Sequence, residues 1–283
     1  MAEKSRKYFS YRTNKVDRKL DITQLRKLFF GLYSKLCAEG YLDNLFGRHC
    51  IDNNYQVSNG AVGSNAETFF LLHFRKDHLY PINDKWQDYT EDDIFDLIEL
   101  LHDYVSKRSD SRMRHAWCEC GGCDADYDEN AGRYDFKYQI NEILCDYEDG
   151  YELSENGEVV RLVDPGLNPL LKGKLPHYDP ENVETRVQSA IRKFRSSRST
   201  LEDRRDSVRE LADVLEFIRP KVKDVLLQKD EAVLFRIANE FAIRHHSPEQ
   251  KSNYDPSIWH GWMFYFYLST IHVILRLLNR QKE

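Results

Sequence analysis

Gly261-Trp-Met-Phe-Tyr-Phe-Tyr-Leu-Ser-Thr-Ile-His-Val-Ile-Leu-Arg-Leu-Leu278 is nearly continuous in apolar and aromatic side chains, and its interpretation sets the class of the whole chain. By length it imitates a membrane span. Two features argue for a buried helix instead. His272 and Arg276 interrupt the run, and the chain has no second comparable stretch and a mean hydropathy of −0.67. A helix that is apolar all round belongs at the centre of a soluble bundle, so the run predicts a core helix and no membrane association.

Working upstream, Asn182 to Phe194, Thr200 to Leu227 and Asp230 to His246 show helical periodicity with short connections. With Ile258 to Leu278 they make four helices, the pattern of a compact bundle. Pro220 falls inside the second, where a kink is expected while Ile218 and Val222 carry the stripe across it. Before the bundle, Val163 to Asp179 holds Pro165, Pro169 and Pro176 with Gly166 and Gly173, which reads as a linker. The expected division is an N-terminal region, 1–175, and a C-terminal four-helix bundle, 176–283.

The N-terminal region mixes helix and strand signals. Thr23 is placed to cap a helix whose stripe is Leu25, Leu28, Phe29, Leu32 and Leu36, with Gly40 as its stop. Phe69, Phe70, Leu71, Leu72 and Phe74 form a buried helix or strand that Pro81 closes. Thr90-Glu-Asp-Asp93 has the spacing of a capping box and opens a helix with the stripe Ile94, Phe95, Ile98 and Leu101. A further helix is expected over Phe136 to Leu144. In Tyr151 to Leu162, Asn156-Gly157 separates two alternating segments and predicts a β-hairpin with a type I′ turn. The fold class is mainly α: a helical bundle preceded by an α+β region with a hairpin.

Charge and cysteine usage narrow the function. The 283 residues carry 41 Lys+Arg against 47 Asp+Glu, a net −6, so any polyanion site must be local. Asp88 to Asp135 is rich in acids and should repel RNA. Arg192, Lys193, Arg195, Arg198, Arg204 and Arg205 gather around the turn between the first two bundle helices. Arg192, Arg195 and Arg198 are the candidate phosphate contacts; the alternative is a solvated face balanced by Glu202, Asp203 and Asp206. The start Ala2-Glu3-Lys4-Ser5-Arg6-Lys7 lacks an apolar leader, as expected of a cytoplasmic protein.

His115, Cys118, Cys120 and Cys123 are ligands of the kind zinc takes, with Gly121-Gly122 permitting a tight turn. The Cys-x-Cys spacing strains simultaneous ligation, so reduced thiols are the leading reading and no metal is assigned. Cys37, Cys50 and Cys145 are expected as small buried apolar residues, with Cys50 a candidate remote ligand in the zinc reading. Trp259, Trp262, Phe266 and Tyr265 recur at helical spacing and are expected to pack inside the bundle or between two bundles.

The candidate chemistry lies in Phe235-Arg-Ile-Ala-Asn-Glu-Phe-Ala-Ile-Arg-His-His-Ser-Pro248. At 100° per residue His245 continues the apolar stripe, whereas His246 shares a face with Asn239. Glu240 precedes Arg244 by about one turn and can hold its guanidinium. Ser247-Pro248 ends the helix. One reading is a cationic cap on the helix C-terminus. The other is an RNA-cleaving site, since attack by a 2′-hydroxyl on its phosphate needs a base of near-neutral pKa and a cation for the phosphorane.

Asn239-Glu-Phe-Ala-Ile-Arg-His-His246, Gln250 to Asp255 and the aromatic helix from Ile258 together resemble the HEPN domains of bacterial abortive-infection proteins, over Pro180 to the C-terminus. The resemblance implies a helical-bundle, metal-independent endoribonuclease that acts in phage defence or a toxin-type system. It also implies a homodimer whose paired motifs face one another, with the N-terminal region as sensor or partner-binding element. Arg244 followed by a polar residue matches the family motif. The distal His does not: Glu249, Gln250 and Lys251 stand there. Either His246 or His245 takes the base role, or the domain is catalytically degenerate and serves as an RNA-binding or protein-interaction module.

Overall fold

The computed structural model describes residues 9, 19–49, 56–108, 126–148, 150–163, 166–222 and 255–280, and these are mainly helical. The chain divides into two compact units, Met1–Leu162 and Val163–Glu283.

In the first unit, α1 (Ile22–Ala38) begins at Asp21 rather than Thr23. The Asp21 carboxylate accepts from the Gln24 amide at 2.8 Å, and the Gln24 side chain accepts from the Asp21 amide at 3.0 Å. This reciprocal pair satisfies two orphan amides where a lone Thr would satisfy one. Leu25, Phe29, Leu32 and Leu36 of the expected stripe are buried; Leu28 is exposed. Then follow α2 (Asp43–Phe46), β1 (Arg48–His49) paired with β2 (Gln56–Ser58), α3 (Ala66–Phe74) and α4 (Ile82–Lys85). The apolar run at Phe69 to Phe74 is therefore helical.

The Thr90 to Asp93 box opens α5 (Glu91–Tyr104), and Ile94, Phe95, Ile98 and Leu101 are buried along it. β3 (Lys107–Arg108) pairs antiparallel with β4 (Tyr127–Asp128), which leads into α6 (Glu129–Leu144). Gly132 permits α6 to cross the chain just after α5: a Cβ there would lie 2.4 Å from the Ser106 Cα.

The predicted hairpin is present as β5 (Tyr151–Leu153) and β6 (Val159–Arg161), with Glu152 opposite Val160. Its turn differs from the expected type I′. The Ser154 carbonyl accepts from the Gly157 amide at 3.2 Å, the Ser154 amide donates to the Glu158 carbonyl at 2.8 Å, and only Gly157 has positive φ (81°). That is a three-residue loop closed by a left-handed glycine. Ser154 Oγ, accepting from the Glu158 amide, supports the wider turn.

The second unit begins earlier than residue 175, because Val163, Leu167, Leu170, Leu171 and Leu175 pack into its core. It contains α7 (Asn168–Lys172), a π-helical turn at Pro180–Glu184, α8 (Thr185–Arg195), α9 (Leu201–Val222) and α10 (Pro256–Arg280). Pro220 lies inside α9, with Ile218 fully buried before it. The helix expected over Asp230 to His246 lies outside the described residues.

Helix α10 is long and apolar enough to cross a bilayer by length and composition, and half of that window is buried inside the protein. Its core side carries Met263, Phe264, Tyr267, Leu268, Ile271, Ile274 and Leu275. Trp259 and Trp262, expected inside the bundle or between two bundles, are 37% and 45% exposed, so they do not pack inside this one. Periodicity groups them correctly on one face, but α10 is apolar on both sides and the other side faces α8 and α9.

Cys37 and Cys145 are exposed rather than buried. Each follows the last core residue of its helix, Leu36 or Leu144, and so turns off the buried stripe. Cys50 lies outside the described residues.

Candidate nucleic-acid interface

One end of the second unit collects the basic residues. The Thr200 hydroxyl and amide donate to the Asp203 carboxylate at 2.7 and 2.9 Å, and the Asp203 amide donates to Thr200 Oγ1 at 3.1 Å. This capping box fixes the start of α9 and holds the Asp203 carboxyl below the usual carboxylate range. One turn into α9, the Arg204 guanidinium lies 5.7 Å from the centre of the Phe194 ring, in the last turn of α8. Phe194 stacks on Phe264 of α10 at 3.9 Å and 8°, with Tyr265 edge-on at 5.9 Å. The end of α8, the start of α9 and the first turns of α10 therefore meet around an aromatic hub.

His260 sits in that meeting, 3% exposed and beside the backbone of Leu201. Burial, together with the nearby Arg205 and Arg204, lowers its pKa. An imidazole kept neutral next to cations at neutral pH is the expected result.

The three phosphate-contact candidates separate. Arg192 and Arg198 are exposed, whereas Arg195 is buried, with 8% exposure. Three residues apart on a helix, Arg192 and Arg195 nevertheless do not share an exposed face. Ala190, Ile191 and Arg195 belong to the buried side of α8, and Arg192 to its outer side. Arg195 thus has an interior position that charge counting along the sequence does not reveal.

Arg244, His245, His246 and Asn239 lie outside the described residues, as do His115, Cys118, Cys120 and Cys123. Among the described residues, no group of three or more His, Cys, Asp or Glu side chains is arranged to hold a metal.

The first unit carries a concave feature that sequence reasoning missed, a groove of about 840 Å³ along α6. His102, Arg133, Tyr134, Lys137, Tyr138 and Glu155 are among its walls. Arg133 donates to the carbonyls of His102 and Asp103 at 3.3 and 3.1 Å, capping the C-terminus of α5. Lys137 pairs with Glu155 of the hairpin turn. The cations in this groove are engaged in holding the unit together. Its only sequence signal is the polar face of α6, which reads equally well as solvated surface.

No family model, curated protein or solved structure matches this chain.

Proposed function

We propose that the chain is a metal-independent endoribonuclease of the HEPN type, acting as an effector in phage defence or a toxin-type system. In this reading Arg244 stabilises the pentacoordinate phosphorane. His246 or His245 accepts the proton of the attacking 2′-hydroxyl and returns one to the leaving oxygen, while Asn239 orients the histidine or the substrate. Arg192 and Arg198 contact phosphates from the surface, and the buried Arg195 supports them from within. Two copies pair through the second unit, and the first unit senses a trigger or binds a regulatory partner.

The observation that carries this reading is the meeting of α8, α9 and α10 at one end of the second unit. It gathers Arg192, Arg198, Arg204, Arg205 and His260 where the chain after Val222 re-enters the described residues at Asp255. A local basic end on an acidic protein is the electrostatic arrangement that RNA binding requires.

The test is incubation of the purified protein with end-labelled RNA in EDTA, comparing wild type with Arg244→Ala and His246→Ala. Cleavage by wild type and its loss in both variants is the expected result. Intact RNA that still shifts in mobility overturns the nuclease and leaves the degenerate RNA-binding module.

A further inference from the structure

We propose that the outward face of α10 is a stacking surface for single-stranded RNA, an inference that rests on the ribonucleolytic reading above and names the form of its substrate. Trp259, Trp262, Phe266, Val273, Arg276 and Arg280 fall on one side of the helix, opposite the core residues Phe264, Tyr267, Ile271 and Leu275. Trp262 is 45% exposed and forms the middle of an aromatic ladder. Its ring stacks on Phe266 at 5.2 Å and 13°, and Trp259 meets it edge-on at 5.5 Å. Each neighbour holds the Trp262 ring in place and leaves part of its surface open. Such a fixed, half-exposed indole offers a π-face to an unpaired base without the cost of ordering it first.

Charge selects the occupant. None of the residues of α10 from Pro256 to Arg280 is acidic, although the chain as a whole has a net charge of −6. Arg276 and Arg280 are exposed on the ladder's own side, whereas Arg204 and Arg205 stand beside the buried His260 near the start of the helix. At ~1.5 Å per residue Arg276 lies roughly 21 Å beyond Trp262, so one extended strand can place bases on the rings and phosphates on the arginines. A duplex cannot use this surface, because its base faces are occupied by their neighbours in the stack.

The probe is a fluorescent 2′-O-methyl oligoadenylate, which lacks the attacking hydroxyl and stays intact. Its binding to the full chain is followed by anisotropy. Trp262→Ala is expected to weaken binding about tenfold or more, and Trp262→Phe to keep it within about threefold, the range of losing and retaining one base stack. A matched duplex should bind wild type and Trp262→Ala alike. Equal affinity of wild type and Trp262→Ala for the single strand overturns the inference. If that variant instead changes the oligomeric mass in light scattering at unchanged affinity, a second copy covers the face. Cleavage of unmodified RNA in EDTA is scored in parallel. Loss of the nuclease with Trp262-sensitive binding overturns only the catalytic reading, and cleavage with Trp262-insensitive binding overturns only this one.

Discussion

Gly157 lies so close over the imidazole of His102 that a Cβ at position 157 would stand 2.4 Å from His102 Nδ1. The turn of the β5–β6 hairpin is seated in this way on the C-terminal end of α5, and Lys137 ties the same turn to α6 through Glu155. His102 is 7% exposed, and its Nδ1 has no hydrogen-bond partner among the described residues. At His102 Nδ1 itself the contact with the turn is one of packing rather than polar pairing.

Gly157→Ala should therefore destabilise the first unit by about 2–4 kcal/mol, combining the cost of a positive φ with the clash on a buried ring. The two contributions separate in a double-mutant cycle with His102→Ala measured by urea denaturation. Truncating the ring removes the clash and leaves the backbone cost, so the two substitutions should couple by about 1 kcal/mol or more. Strict additivity would show that the glycine is required for its backbone alone.

The same histidine makes stability depend on pH. Burial, with Arg133 and more distantly Lys137 nearby, lowers its pKa, while Asp103, whose carboxylate is 3.9 Å from Nδ1, opposes the shift. A histidine whose folded pKa is depressed contributes fully above its unfolded value and loses that contribution as pH falls through the folded one. Stability should therefore decline as pH drops below about 6.5, and His102→Gln should flatten part of the decline. His260 and His272 are also depressed, by burial first and then by Arg205 or Arg276, so each should add its own part. Unfolding free energies across about pH 5 to 8 measure all three, and an unchanged slope in the three single variants would refute the assignment.

Asp93 works in the opposite sense. It is 2% exposed at the start of α5, and burial alone would raise its pKa. Lys76 at 2.7 Å, the amide and hydroxyl of Thr90, and His78 at 3.1 Å outweigh burial and hold the carboxyl well below the usual carboxylate range. A carboxylate with a depressed folded pKa stabilises above its unfolded value near 4 and loses that contribution as pH falls further. Asp93→Asn should cost about 3 kcal/mol at neutral pH, since it leaves Lys76 and the cap short of a partner, and the gap to wild type should narrow below about pH 4. Thermal melts at several pH values read both effects.

What the sequence made legible was local. Thr90 and Asp93 are three residues apart, and that spacing alone specifies a box whose two reciprocal bonds form in the structure. The same holds for the buried stripe that follows, and for Asn156-Gly157 as the site of a turn, though not for its type. Where a choice depended on distant residues, the pattern was silent. The two- and three-residue strands β1 to β4 pair through backbone bonds that no side-chain period encodes. The two apolar faces of α10 look alike in hydropathy, and only the docking of α8 and α9 decides that Phe264 turns in and Trp262 out. The candidate site followed the same rule: the basic cluster was legible as composition, but not the burial of Arg195 within it.

That burial yields a prediction that separates a stabilising arginine from a binding one. In the RNA-binding reading, Arg192 and Arg198 release counterions when they meet phosphates, so each Ala substitution should lower affinity and reduce the slope of log K against log salt by about one. Their thermal stability should stay close to wild type, because exposed positions away from buried networks change stability by only about 0.5 kcal/mol. Arg195→Ala should do the reverse first, lowering the unfolding midpoint through lost packing of its buried stem and head. Any loss of RNA affinity in that variant should track the unfolded fraction rather than the salt slope. Equal salt slopes for wild type, Arg192→Ala and Arg198→Ala would remove both residues from the interface. A reduced slope in Arg195→Ala at full stability would show that this arginine reaches the phosphate from inside the fold.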